Sequence, residues 1–160
     1  MPYALYVCAQ DDNKITAFTM DADTGQLTPQ AELPVAGGPS VMAISPDRRT
    51  LYVGQRTGEA ISSFRIDPGT GGLSLLGSIS QAHAPTFLAP DCAGRYLLSA
   101  YYQGGGAAVY RLGADGAVGA PSVAAPSVAA PWPRTAITGT SSRAAASAVS
   151  AACSLPCPTW

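Results

Sequence analysis

Few side chains in this sequence are equipped for chemistry near neutral pH. His83 is the sole histidine, and imidazole is the group whose unperturbed pKa lies closest to neutrality. To act as a general base it would need an orienting partner and a substrate within reach; a loop histidine without a catalytic role is the plainer reading. Arg56 offers a planar fork of donors suited to phosphate or carboxylate, against the plainer reading of a solvated loop arginine. Tyr101 and Tyr102 carry phenols able to hydrogen-bond sugar hydroxyls, or else rings that pack the neighbouring structural unit. Arg56, Tyr101, Tyr102 and His83 are therefore the candidate substrate-binding residues. No catalytic residue and no metal site is assigned, and no cofactor is expected.

Other motifs carry less. Gly104-Gly105-Gly106 is followed by strand-like residues rather than by the helix a phosphate loop requires, so these glycines serve a tight turn. Ser40 and Ser99 lie in strand-like segments, and the G-x-S-x-G elbow of serine hydrolases is absent from the sequence. Cys8 and Cys92 read as buried free thiols. Cys153 and Cys157 form a lone C-x3-C without a nearby histidine, and zinc normally takes four ligands.

A formal net charge of -1 with 12% charged residues gives no basic footprint for nucleic acid and no polybasic patch for a membrane. No apolar run approaches the ~18 residues of a spanning helix. The first residues lack the basic-then-apolar layout of a secretory signal, which makes a cytoplasmic location the expectation. A hydrophobic content of 47% is enough for a core.

The elements that must position these side chains come in a repeat. Leu5-Tyr6-Val7 recurs as Leu51-Tyr52-Val53, then as Leu97-Leu98-Ser99, at a step of 46 residues. Ile15-Thr16-Ala17-Phe18, Ile61-Ser62-Ser63-Phe64 and Ala107-Ala108-Val109-Tyr110 keep that step, as do Pro39–Ala43 and Pro85–Ala89. Within a unit, short β-branched and aromatic runs alternate with turns such as Ser45-Pro46-Asp47-Arg48-Arg49. Long helical periodicity is absent before residue 119. Four short strands in a meander make a β-propeller blade. The fold class is all-β, with about two and a half blades of a propeller. The first unit enters at its second strand: Tyr3–Ala9, Lys14–Met20 and Gln26–Leu33 are its second, third and fourth strands. A full unit spans Gly38 to Ser80, and a third runs from Ala84 to about Val118, its fourth strand being in doubt. On this assignment Gln10, Gln55, Arg56, Tyr101, Tyr102 and His83 share the face over the central channel.

Residues 1–118 form the partial propeller on this reading. Residues 119–160 have no Asp or Glu, repeat Ala-Pro-Ser-Val-Ala in tandem and contain both tryptophans, Trp132 and Trp160. Such Ala/Ser/Pro sequence buries too little apolar surface to offset its ordering entropy. It is expected to be a disordered linker or the product of an out-of-frame reading.

The stretch Gly38-Pro39-Ser40-Val41-Met42-Ala43-Ile44-Ser45-Pro46-Asp47-Arg48-Arg49-Thr50-Leu51-Tyr52-Val53-Gly54 resembles a segment of the lactonase-type seven-bladed propellers. Tyr101-Tyr102-Gln103-Gly104-Gly105 and the D-x-x-T-G-x-L hairpins at Asp21–Leu27 and Asp67–Leu73 are similar to the same family, which includes cycloisomerase 2-like proteins and propeller 6-phosphogluconolactonases. The resemblance covers roughly residues 3–118. It implies a chain about twice this long and a hydrolase opening a sugar lactone such as 6-phosphogluconolactone, a carboxylic ester. The family's proposed catalytic His, Arg and Glu lie on blades after the third and match no position here, so this chain alone is expected to be inactive. A non-catalytic propeller scaffold is the alternative. An incomplete ring leaves apolar blade faces and a free strand edge near Tyr3–Ala9, so self-association is expected.

Overall fold

In a computed structural model the described residues, 3–124, form eleven strands in three antiparallel sheets. The first sheet contains β1 (Tyr3–Ala9), β2 (Lys14–Met20) and β3 (Leu27–Pro34). The second contains β4 (Pro39–Ile44), β5 (Thr50–Gln55), β6 (Ala60–Ile66) and β7 (Leu73–Ser80). The third contains β8 (Phe87–Pro90), β9 (Tyr96–Tyr101), β10 (Gly106–Leu112) and β11 (Val118–Ala124). Each sheet is a meander with sequential strands paired, so the described residues form a partial β-propeller in which the first blade has three strands, without an innermost one among the described residues. The last strand of the third blade, doubtful from sequence, is formed and extends past the boundary placed at residue 118. The tail readings at 125–160, with Trp132, Trp160, Cys153 and Cys157, lie outside the described residues.

Local chemistry repeats with the sequence. Asp21 Oδ1 accepts from the Thr24 amide at 2.8 Å and from its hydroxyl at 2.8 Å. Asp67 Oδ1 does the same for Thr70, at 2.7 and 2.9 Å. The next residues, Gly25 and Gly71, both sit at φ +71°, a conformation that glycine adopts without steric cost. A bulge recurs in the outer hairpin of every blade, at Ala17/Phe18, Ser63/Phe64 and Val109/Tyr110, which increases the local twist.

The blades meet through strand faces of alternating direction. One core cluster joins Tyr6, Ile15 and Ala17 of blade 1 to Leu51, Val53 and Phe64 of blade 2. The other joins Tyr52 and Ile61 of blade 2 to Leu88, Leu97, Tyr110 and Val118 of blade 3. Each junction is pinned by one phenol reaching the next blade's outer hairpin. Tyr6 donates to the Gly71 carbonyl at 2.7 Å, and Tyr52 to the Gly116 carbonyl at 3.1 Å. Buried Ser63 accepts from the Val118 amide at 3.0 Å, a second tie between blades 2 and 3. In blade 3 the corresponding residue to Tyr6 and Tyr52 is Leu98, which carries no hydroxyl.

The cysteines divide. Cys8 is a half-buried free thiol, and burial pushes its pKa up to about 11. Cys92 departs from the expectation: it lies exposed in the turn before β9 and is disulfide-bonded. Turn backbone, unlike a strand facing a neighbouring blade, leaves the sulfur at the surface.

Candidate functional site

The loops joining second to third strands, and those leading into the innermost strands, lie on one side of the blades. There, between blades 2 and 3, opens a cleft of about 540 Å³. Blade 2 contributes Ser40, Val41, Arg56 and Thr57; blade 3 contributes Ala84, Pro85, Thr86, Tyr102 and Gln103. Its floor depends on a missing side chain. A Cβ on Gly54 would lie 2.5 Å from Val41 Cγ1 and 2.7 Å from Pro85 Cγ. Only glycine in β5 therefore lets these two lining residues approach from adjacent blades.

The cleft is electrostatically one-sided. Among the described residues Arg56 is its only charged lining residue, and it makes no salt bridge there. Ser40 Oγ donates to the Gly54 carbonyl at 3.3 Å and Thr86 Oγ1 to the Ala100 carbonyl at 3.0 Å. Both hydroxyls keep lone pairs able to accept. Tyr102 is 87% exposed, its phenol engaged by no hydrogen bond among the described residues. The arrangement suits a small anion bearing hydroxyl groups.

The four residues singled out from the sequence separate here. Arg56 and Tyr102 meet at the cleft, from repeat-equivalent turns of adjacent blades. Tyr101, one residue away, turns inward: its hydroxyl meets Gln81 Oε1 at 2.9 Å and also the Tyr110 hydroxyl. Tyr110 in turn donates to the same Gln81 oxygen. Burial, and secondarily the Tyr101 bond, raises the Tyr110 pKa. Strand alternation explains the split, since Tyr101 ends β9 facing the neighbouring blade while Tyr102 begins the turn. His83 is exposed and does not line the cleft; its ring lies against the backbone of Gly104. Gln55 is also drawn inward, donating to Ser62 Oγ at 2.9 Å. Ser40, Thr57, Thr86 and Gln103 were missed. The repeat itself could have found them, because Ser40 and Thr86, and Thr57 and Gln103, are equivalent positions. Among the described residues no cluster of His, Cys, Asp and Glu is arranged to hold a metal ion.

Comparison with known proteins shows the family. The family described as "Lactonase, 7-bladed beta-propeller" matches residues 4–135. The 6-phosphogluconolactonase of Pectobacterium carotovorum is 38% identical over 121 residues, which cover 76% of this chain and 36% of that protein. That of Serratia proteamaculans is 37% identical over 121 residues, with the same two shares of 76% and 36%. Among solved structures, a candidate 6-phosphogluconolactonase of Bacteroides fragilis superposes with a TM-score of 0.70 at 26% identity, covering 78% of this chain and 36% of that one. The chain thus spans about a third of the length of the curated relatives it matches.

Proposed function

The chain belongs to the seven-bladed β-propeller lactonase family, and from that premise we propose that it contributes the first blades of a hydrolase opening a sugar lactone such as 6-phosphogluconolactone. In this reading Arg56 and Tyr102 hold the substrate at the channel face. The observation that carries it is their meeting at one cleft, with a cation and no carboxylate, in a chain whose relatives bear the name 6-phosphogluconolactonase. A cytoplasmic setting belongs to the same proposal. Among the described residues no helix is long and apolar enough to cross a membrane.

Opening a lactone needs a base to activate water and donors for the tetrahedral oxyanion. Arg56 and Tyr102 are donors, suited to binding and to charge. His83, the sole imidazole in the sequence, stands outside the cleft against Gly104. The described blades therefore bind, and the water-activating base belongs to another part of the ring. The chain as it stands should hydrolyse 6-phosphogluconolactone no faster than the spontaneous rate, followed by acid release in a pH-stat. It should still bind the product 6-phosphogluconate weakly, with a Kd of about 1 mM or above. Turnover above the spontaneous rate would refute the inactivity, and absence of any binding would refute the site.

A further inference from the structure

Two loops of identical repeat position take different paths. The loop into β4 carries Gly37 and Gly38 at φ +90° and +66°. That backbone lets it lie down on the β5–β6 turn: the Gly37 carbonyl accepts from the Thr57 amide at 3.0 Å and the Gly58 amide at 2.9 Å, and the Gly38 carbonyl from the Arg56 amide at 2.8 Å. The Gly38 amide donates to Asn13 Oδ1 at 2.9 Å. A Cβ on Gly37 would come within 3.0 Å of the Gly58 Cα.

The loop into β8 starts alike. The Gln81 amide donates to the Glu59 carbonyl at 2.6 Å, as the Val35 amide does to Asn13 at 2.8 Å. Its next equivalents are His83 and Ala84, neither at positive φ, a conformation side-chain-bearing residues adopt only at a cost. The counterpart bonds from Tyr102, Gln103 and Gly104 are not made among the described residues. The His83 ring instead stands where a Cβ on Gly104 would be, with Nε2 and Cδ2 at 2.6 Å from that point. Innermost strand β8 is correspondingly shorter, 4 residues against 6 in β4. The separation leaves Thr86, Tyr102 and Gln103 facing Arg56 across open space.

We propose that the cleft between blades 2 and 3 is a subsite for a phosphate monoester dianion, and that His83 is the positioning residue that props it open against Gly104. Arg56 supplies the charge; the hydroxyls of Thr57 and Tyr102 supply donors. The inference deepens the lactonase reading by assigning the phosphoryl end of its substrate to this cleft, but anion binding does not itself depend on the lactone chemistry.

The test is NMR titration of the full chain with inorganic phosphate, 6-phosphogluconate and gluconate, monitoring the Thr57 and Gln103 amides. Phosphate and 6-phosphogluconate should bind at the cleft and gluconate should not. Arg56→Gln should weaken both phosphate ligands at least about tenfold, as expected for loss of a charge-assisted pair. Closing the cleft with His83→Gly plus Ala84→Gly should weaken them similarly, whereas His83→Gln, which keeps the bulk, should retain binding. Phosphate binding unchanged in Arg56→Gln, or unchanged in the double glycine variant with its loop amides unshifted, would overturn the proposal. Gluconate binding as tightly as 6-phosphogluconate, independent of Arg56, would overturn it and leave the lactonase reading standing. Phosphate and 6-phosphogluconate binding equally through Arg56 would support the subsite while removing support for sugar recognition.

Discussion

Leu5 and Val7 of β1 are 39% and 44% exposed, whereas their repeat equivalents Leu51 and Val53 of β5 are 1% and 0% exposed. The residue types are identical, the strands are equivalent, and both pair with a following strand in the same register. What differs is the neighbour. Blade 1 lays Tyr6, Ile15 and Ala17 over Leu51 and Val53, while no described residue covers Leu5 and Val7 in this way. Hydrophobic stabilisation scales with area removed from water, so one leucine acts as core and the other as an adhesive surface. In a propeller the local sequence prepares a blade for two neighbours, and each face becomes core only when its neighbour is present.

The comparison can be broken most severely at its buried side. Leu51→Ala should cost about 2–5 kcal/mol of unfolding free energy by urea titration, transfer and cavity terms together. Leu5→Ala should cost under about 1 kcal/mol, being half out of water already. If the two losses were equal, the neighbour-dependence would be wrong. Next in size is the exposed side. The chain is expected to self-associate through Tyr3, Leu5 and Val7, and Leu5→Lys should weaken that association about tenfold or more in sedimentation, the scale of burying one leucine.

Smaller effects probe the phenol ties. Tyr52→Phe and Tyr6→Phe should each cost about 1 kcal/mol, the net worth of one hydrogen bond. Burial holds the Tyr52 pKa up to about 12, above its ordinary value of 10.0. Unfolded chain releases that proton first as pH rises, so stability should fall from pH 10 towards 12. The fall should be shallower in Tyr52→Phe, as read by alkaline unfolding. The smallest effect belongs to the hairpin carboxylates. The Thr24 and Thr70 hydrogen bonds lower the pKa of Asp21 and Asp67 below 3.8. Their contribution is present above that value and lost as pH falls through the depressed pKa. Asp67→Asn should flatten the acid limb of the stability curve slightly, and Asp21→Asn equally, because both turns are exposed.

Strand order, blade phase and the hairpin turns were legible because each rests on short-range chemistry repeated in the sequence: alternation for the strands, Asp-to-Thr bonding and a left-handed glycine for the hairpins. The meeting of Arg56 with Tyr102 followed from the same step. Cys92 was misread, and the inward turn of Tyr101 and Gln55 was not legible, since such directions depend on where a strand ends and a turn begins, a matter of single residues. The open cleft was hidden in plain letters, Gly37-Gly38 against His83-Ala84, and became meaningful only once backbone dihedrals showed which loop could lie flat.

By itself the sequence determined the repeat, the meander of each blade and the family, because a periodic pattern of apolar residues and turns specifies local pairing. Tertiary structure alone decided which equivalent residues are core and which are surface, and which junction is shut and which is open. Those outcomes depend on contacts between residues distant in the chain, such as the Gly38 carbonyl with the Arg56 amide and the Tyr6 hydroxyl on the Gly71 carbonyl, and on whether a neighbouring blade is there to make them.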